Sequence, residues 1–255
     1  MADPAEKIVQ DYLARMAQIR STGGATGETS YYSALENLLN EIGKGLKPAV
    51  VCNGQLRNQG AGHPDFGLYN KAQCAKGEPR PGQGEKPERG VIEVKPLADE
   101  TWLTAETKQV STYWTAYRLV LVTNYRDFLL LGEDERGRPA KLEAFRLANS
   151  EAEFWSRAQT PRKYAQEIGQ SLVEYLKRAL TQSVSLREPR DVAWFLASYA
   201  RDALGRVEDK GDVPALTAVR SAFEEALGVH FEGGKGDHFF RSTLVQTLFY
   251  GIFSA

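Results

Sequence analysis

The sequence of 255 residues has few of the residues that build zinc sites, disulfide frameworks or membrane spans. Its two cysteines, Cys52 and Cys74, fit no CxxC spacing, and its three histidines do not form a ligand cluster. A zinc site is therefore not expected, and so little cysteine fits a reducing compartment. The sequence has no apolar run of about 18 residues, and its first ten residues lack the apolar stretch of a signal peptide. We expect a cytoplasmic protein without contact to a membrane.

The sequence also lacks a large net charge. Its 32 Lys and Arg residues and 33 Asp and Glu residues give a formal net charge of −1, so it has no global basic signal of the kind that marks many nucleic-acid binders. Between Lys44 and Lys95 nine basic residues stand against five acidic ones, which is a mild local bias. The composition is that of an ordinary globular protein, and the length allows one large domain or two modest ones.

The first 149 residues predict a mixed α/β domain. Apolar residues at helical spacing predict helices over 4–19 and 29–42. Strands are expected in the extended segments at 49–56, 65–69, 90–96, 119–123, 128–132 and 142–147. A helix predicted over 101–118 separates two of these strands, so the strands at 90–96 and 119–123 are expected to pair in parallel.

From about residue 150 the sequence becomes helical throughout. Ser150 and Glu153 have the spacing of a capping box, and amphipathic segments predict four helices, at 161–182, 188–207, 214–227 and from 235 onward. The expected organisation is an N-terminal helix at 1–19, an α/β domain at 20–149 and an all-α domain at 150–255, with the boundary between Asn149 and Arg162. The apolar last helix favours either a fragment of a longer chain or a helix buried in its bundle.

Charged residues mark two of the predicted strands. Asp65 begins one strand, and Glu93-Val94-Lys95 lies on the next, 28 residues after the Asp. Side chains at i and i+2 of a strand share a face, so Glu93 and Lys95 project together. Carboxylates are the oxygen ligands that Mg²⁺ takes together with water and substrate phosphate, and a lysine can orient or deprotonate an attacking water. The pattern indicates a nuclease. The simpler alternative is that these are ordinary surface residues on strands.

Helical residues offer two additions to this set. Gln109 and Tyr113 lie one turn apart on the following helix, where they would meet water, the DNA backbone or a phosphate, although Gln109 is also typical of a solvated helix surface. An acid on an earlier helix would complete a metal cage, and Glu28, Glu36 and Glu41 compete for that role. Glu28 equally fits a helix N-terminus, where a negative charge is favourable.

In order and spacing, these motifs resemble the PD-(D/E)xK nuclease superfamily: Pro64-Asp65, Glu93-Val94-Lys95 and Gln109-x-x-x-Tyr113. The segments at 28–39, 60–67, 90–95 and 122–128 look like the N-terminal region of type IIG and type ISP restriction-modification polypeptides. Those proteins fuse a nuclease to an N6-adenine DNA methyltransferase and a target-recognition region. The segments at 194–201 and 239–250 are similar to the helical connector that precedes the methyltransferase.

The resemblance implies a restriction-endonuclease-like mixed β-sheet flanked by helices and followed by an all-α connector domain. It also implies a set of site residues, with Glu28 as a more natural choice than Glu36 for the helix acid. The implied metal ligands are Asp65, Glu93 and Val94, and the implied catalytic residues are Asp65, Glu93, Lys95, Gln109 and Glu28. The expected ion is Mg²⁺, with Mn²⁺ as a substitute.

The function expected from the resemblance is a Mg²⁺-dependent DNA endonuclease of a bacterial restriction-modification enzyme. Its partners would be double-stranded DNA, the methyltransferase and target-recognition regions of a longer polypeptide, and a second copy if cleavage requires a dimer. The sequence has no Asn-Pro-Pro-Tyr or Asp-Pro-Pro-Tyr motif, so S-adenosylmethionine would bind only in a missing part, and we expect a fragment. The alternatives are a catalytically silent module that docks on DNA or a methyltransferase, and a metal-independent scaffold with solvent-facing strand charges.

Overall fold

A computed structural model describes residues 3–23, 27–54, 62–74, 81, 84–182, 189–209 and 214–254. The chain divides into two compact units, Met1–Val184 and Ser185–Ala255. Residues 55–61, which include the end of the first predicted strand and the start of the segment at 60–67, lie outside the described residues.

The first unit combines helices with a six-stranded sheet, as the sequence predicts. The helices and strands of the first unit, in chain order, are α1 (Pro4–Ser21), α2 (Tyr32–Lys44), β1 (Val50–Gly54), β2 (Phe66–Asn70), β3 (Val91–Val94), α3 (Thr101–Ala105), α4 (Lys108–Tyr117), β4 (Val120–Thr123), β5 (Asp127–Glu133), β6 (Pro139–Arg146), α5 (Glu151–Ala158) and α6 (Pro161–Thr181). A short 3-10 turn at Glu28–Tyr31 leads into α2.

The strands of the sheet follow the order of the chain, from β1 at one edge to β6 at the other. Strands β3 and β4 pair in parallel, with Val91 opposite Val120 and Glu93 opposite Val122, and the other neighbouring strands pair antiparallel. The parallel pair confirms the prediction from the intervening helical segment, since a parallel connection needs a crossover long enough to return to the same end. The sheet is therefore mixed, and the α/β class is confirmed.

Apolar side chains cover both faces of the sheet. Ile92 and Val94 of β3 lie on the face that packs against α1, α2, α5 and α6, in the larger of the two cores. Val91 lies on the opposite face, in a smaller core with Val110, Tyr113 and other residues of α4. Alternate residues of β3 thus serve different cores, and Glu93 belongs to the α4 face.

The helical segment at 101–118 is not the single helix that the sequence predicts. Helix α3 ends at Ala105, and α4 begins at Lys108. The Thr107 side chain accepts a hydrogen bond of 3.4 Å from the backbone N–H of Val110 and so caps α4. A threonine in this position satisfies one of the free N–H groups of a new helix, and the break follows from that cap.

The compact units divide between Val184 and Ser185, whereas the domain boundary between Asn149 and Arg162 stays a prediction. Helices α5 and α6 belong to the first unit, because α6 packs along α1 in the larger core. Gly169 of α6 permits this contact, since a Cβ atom there would lie 3.0 Å from the Cα of Glu6. The N-terminal helix is equally part of this core, as Val9, Leu13 and Met16 are fully buried. The functional assignment of 20–149 stays a prediction.

The second unit is helical in its described part, as predicted. It contains α7 (Pro189–Asp209), α8 (Pro214–Leu227) and α9 (Gly233–Ser254). Phe240 of α9 is 2 % exposed and packs against Phe223 and Phe231. The buried Arg241 donates hydrogen bonds to Asp237 and to the backbone oxygen of Val207. Across the described residues, no helix has the length and apolarity needed to span a bilayer.

Candidate metal centre

The pairing of β2 with β3 brings Asp65 next to the Glu93-Val94-Lys95 segment. The two strands pair at Phe66 with Ile92, and the backbone N–H of Asp65 still donates a hydrogen bond of 3.1 Å to the oxygen of Ile92. Asp65 is the residue just before β2, and Lys95 is the residue just after β3. The two ends of the predicted motif, far apart in sequence, therefore meet at one point of the sheet.

Each oxygen of the Asp65 carboxylate receives a hydrogen bond. The backbone N–H of Val94 donates to Oδ2 at 2.7 Å, and the hydroxyl of Tyr32 donates to Oδ1. Tyr32 is the first residue of α2, so the carboxylate is held between a strand and a helix. Burial, followed by the hydrogen bond and charge of Asp65, raises the pKa of Tyr32, which keeps the phenol a proton donor.

Glu93 and Lys95 project together, as the strand spacing predicts. Lys95 Nζ lies 2.7 Å from Glu93 Oε1. The Glu93 side chain is 2 % exposed, and its second oxygen, Oε2, is buried without a hydrogen-bond partner. A buried carboxylate oxygen that lacks a partner is costly, so this atom is suited to a ligand that brings positive charge.

Burial is the main cause that raises the pKa of Glu93, to about 7. The negative charges of Asp65 and Glu28 act in the same direction, and the hydrogen bond and charge of Lys95 oppose them. Near neutral pH the Glu93 carboxyl is therefore balanced between its neutral and ionised forms. A bound divalent cation would favour the ionised form.

Lys95 is positively charged in this environment. Burial on its own lowers the pKa of Lys95, but the hydrogen bond to Glu93 and the charges of Glu93, Glu28 and Asp65 outweigh burial and raise it. A protonated lysine donates hydrogen bonds and stabilises negative charge, but it has no lone pair with which to take a proton from water. Of the two roles that the sequence left open for Lys95, this arrangement favours orientation over deprotonation.

The three competing acids lie in different places. Glu28 is near the site: burial raises its pKa, the charge of Lys95 lowers it, and the charge of Asp65 raises it again. Glu36 instead lies close enough to Cys52 for its charge to raise the pKa of that thiol, after the larger effect of burial. Glu41 pairs with Lys44 on the exposed side of α2. Among these acids, Glu28 is the one that shares the environment of Asp65 and Lys95.

Gln109 is connected to the site by a hydrogen bond to Tyr113, one turn further along α4. The Gln109 side-chain amide donates a hydrogen bond of 2.8 Å to the Tyr113 hydroxyl. The pKa of Tyr113 is raised by burial, lowered by that hydrogen bond and raised further by the charges of Glu93 and Asp65. Tyr113 therefore lies within electrostatic range of both carboxylates, and Gln109 occupies an exposed position of α4.

The donor set fits Mg²⁺ better than a softer metal. Among the described residues, no group of three or more His, Cys, Asp and Glu side chains is placed to hold a metal ion. Mg²⁺ does not need such a cage, because it binds one or two carboxylates and keeps water and substrate oxygens as its other ligands. Asp65 and Glu93 are the two carboxylates that would bind such an ion here. Val94 has a fully buried apolar side chain, so its contribution would come from its backbone oxygen.

Two tyrosines at the site, Tyr32 and Tyr125, lie in the segments at 28–39 and 122–128, but the sequence assigns neither of them a role in the site. Tyr32 contacts Asp65 as described above, and the Tyr125 hydroxyl donates a hydrogen bond to the backbone oxygen of Glu28. Tyr125 is held in turn, since Tyr12 Oη donates to its backbone oxygen at 2.7 Å. One sequence signal was available for Tyr32, since it stands on the inner, apolar face predicted for the helix at 29–42.

Comparisons with known proteins place this chain in no family. No protein-family model matches the sequence, and no curated protein matches it. Among solved structures, the chain is similar to a cryoEM structure of a DrdV–DNA complex, with 16 % sequence identity and a TM-score of 0.41. The match covers 62 % of this chain and 97 % of that one.

Proposed function

We propose that this chain contains a Mg²⁺-dependent nuclease domain that hydrolyses phosphodiester bonds of double-stranded DNA within a restriction-modification enzyme. The observation that carries the proposal is the buried Oε2 atom of Glu93, which has no hydrogen-bond partner. The other carboxylate oxygen of Glu93 pairs with Lys95, and the charge of Asp65 acts on the same carboxyl group. Two carboxylates and one lysine at the ends of adjacent strands suit phosphate chemistry, and the motifs shared with PD-(D/E)xK nucleases give the same interpretation.

Asp65 and Glu93 would hold the Mg²⁺ ion, with Val94 contributing its backbone oxygen. When bound, the ion supplies Lewis-acid polarisation of a phosphoryl oxygen and neutralises developing negative charge. In the hydrolysis, the oxygen of a water molecule forms a bond to phosphorus while the bond to one sugar oxygen breaks. The leaving oxygen gains a proton, and the water loses one to solvent.

The protein's own residues would position and stabilise this reaction. Lys95, held by Glu93 at 2.7 Å, places a positive charge beside the carboxylates, where it can donate a hydrogen bond to the attacking water or to a phosphate oxygen. Glu28 adds a carboxylate on the α2 side of the site. Gln109 would support the site through Tyr113. Sequence specificity, the methyltransferase and S-adenosylmethionine binding would belong to other regions of a longer polypeptide.

Plasmid nicking combined with calorimetric Mn²⁺ binding tests the proposal. The parent chain is compared with Asp65→Asn and Lys95→Met at about pH 8, where Glu93 is largely ionised. The matched controls are Asp11→Asn and Lys7→Met, because this pair on α1 has the same chemistry in an exposed salt bridge of 2.6 Å. We expect nicking by the parent and by both controls, and by neither site variant.

The two readouts separate the rival functions. Loss of Mn²⁺ binding in Asp65→Asn but not in Asp11→Asn is expected for a metal site at Asp65. A parent chain that binds Mn²⁺ yet does not nick DNA, even with excess protein, would contradict the nuclease proposal for this chain and favour the silent docking module. A parent that neither binds the ion nor cleaves would contradict the metal site as well.

A further inference from the structure

We propose that Tyr32 is a positioning residue of the metal centre, whose hydroxyl fixes the Asp65 carboxylate in the orientation that binds the ion. This inference rests on the proposed function, since it assigns a role toward the same site. The segment at 28–39 contains Tyr32, but the sequence assigns it no role in the site, and the role follows from its contacts. The expected consequence is a change in metal affinity rather than in DNA binding.

The Asp65 carboxylate has one fixed partner on each oxygen. The Val94 backbone N–H, on β3, approaches Oδ2 at 2.7 Å, and the Tyr32 hydroxyl, on α2, donates to Oδ1. One hydrogen bond alone would let the carboxylate rotate about that contact, whereas two donors from different elements define its plane. Each oxygen accepts a single hydrogen bond here and keeps a lone pair for another ligand.

Tyr32 is itself held in place by packing. Its ring lies against the ring of Phe66, with centroids 4.9 Å apart and planes tilted by 55°. Phe66 directly follows Asp65 and is 1 % exposed, so the ring that locates the hydroxyl leans on the residue next to the carboxylate. Groups that hydrogen-bond to metal ligands in this way commonly set the orientation of the ligand and the affinity for the metal.

The preceding residue, Tyr31, provides a matched control. Its ring packs against Tyr125 at 5.6 Å and against Trp155 at 5.7 Å, in the larger core. The charges that act on its hydroxyl are those of Arg20 and Glu151, which lie outside the metal centre. The replacement of Tyr31 by phenylalanine therefore removes the same atom, one residue away, without touching Asp65.

The test is calorimetric Mn²⁺ binding to the parent, Tyr32→Phe, Tyr31→Phe and Asp65→Asn, with thermal unfolding of each. Tyr32→Phe keeps the ring that packs on Phe66 and should unfold at a temperature close to that of the parent. We expect its Kd for Mn²⁺ to rise about 10- to 100-fold, and that of Tyr31→Phe to stay at the parent value. In cleavage assays, the Mg²⁺ concentration for half-maximal rate should rise by a similar factor, with KM for DNA unchanged.

Rescue distinguishes a hydrogen bond from a packing effect. Replacement of Tyr32 with p-aminophenylalanine restores a donor at the same ring position and should recover most of the lost affinity. An unchanged Kd in Tyr32→Phe, together with lost binding in Asp65→Asn, would overturn the role of Tyr32 and leave the metal site intact. If Tyr32→Phe binds Mn²⁺ more weakly and p-aminophenylalanine does not restore the affinity, the effect comes from packing, and the proposed role of the Tyr32 hydroxyl is also overturned. A parent that binds no Mn²⁺ would overturn both this inference and the proposed function.

Discussion

The backbone N–H of Val94 donates a hydrogen bond of 2.7 Å to the side chain of Asp65, 29 residues earlier in the chain. The register between β2 and β3 ends at Phe66 and Ile92, so this N–H has no strand partner on that side, and the carboxylate takes the partner's place. Asp65 therefore closes the end of the β2–β3 ladder in addition to its proposed role as a metal ligand. The two roles can be separated by mutation.

Asp65→Ala should be less stable than Asp65→Asn. Both variants remove the negative charge, but only asparagine keeps a side-chain oxygen that can accept the Val94 hydrogen bond. The difference in free energy of unfolding is expected to be about 1–2 kcal/mol, which is the cost of a part-buried donor without a partner. Urea unfolding of the two metal-free variants measures it. Equal stabilities would show that water replaces the carboxylate at Val94.

Metal affinity should depend on pH through Glu93. Burial raises the pKa of Glu93 to about 7, and the ion binds the ionised carboxylate, so a proton competes with the metal below that pH. We expect the Kd for Mn²⁺ to increase by up to about tenfold for each pH unit below 7 and to level off above it. Calorimetry between about pH 5.5 and 8.5 would record this dependence. A flat profile would mean that Glu93 is already ionised in the free protein, or that it does not bind the ion.

Replacement of Lys95 and of Asp65 should shift the pKa of Glu93 in opposite directions. The hydrogen bond and charge of Lys95 lower the pKa of Glu93, and the charge of Asp65 raises it, while burial is the largest cause. Lys95→Met is therefore expected to raise the pKa of Glu93 above that of the parent, and Asp65→Asn to lower it. Carbon-detected NMR titration of the glutamate carboxyl groups in the metal-free protein measures both shifts. Shifts of the same sign in the two variants would contradict the charge arrangement described here.

The sequence was sufficient for the positions of the six strands and for the shared face of Glu93 and Lys95, because these depend on local patterns, whereas the meeting of Asp65 with them was expected from the resemblance. Strand alternation places Glu93 and Lys95 on one face, and the apolar segments mark all six strands. The break between α3 and α4 could also have been predicted from the sequence, since threonine is a favourable N-cap residue and Thr107 occupies that position. The prediction of a single helix over 101–118 overlooked it.

The remaining features depend on contacts between residues far apart in sequence. The hydrogen bond of Tyr12 to Tyr125 joins residues 113 positions apart, and the contact of Tyr125 with Glu28 spans 97. No periodicity or motif records such pairs. The same reason explains why α6 belongs to the first compact unit, since it packs against α1, far from it in sequence, with a close approach at Gly169. A change in sequence pattern at residue 150 marks the end of the sheet, and the compact unit continues beyond it.

Arg89 offers a prediction about stability that is independent of the metal centre. Its side chain is 3 % exposed, and its Nε and Nη2 atoms are buried without a hydrogen-bond partner in the structure. Burial lowers the pKa of Arg89 to about 10, against a smaller opposing effect of Glu88, so the guanidinium is still charged at neutral pH. A buried charge that lacks hydrogen bonds destabilises the folded state.

Arg89→Met should therefore stabilise the protein, because methionine fills much of the same space without a charge. We expect a gain of about 1–3 kcal/mol in the free energy of unfolding at neutral pH. The folded-state pKa lies below the unfolded one, so the penalty in the parent is fully present below about pH 10 and declines as the pH rises further. The matched control is Arg136→Met in the exposed turn between β5 and β6, for which a change within about 0.5 kcal/mol is expected. Destabilisation by Arg89→Met, with Arg136→Met unchanged, would mean that the Arg89 guanidinium has a stabilising partner in solution.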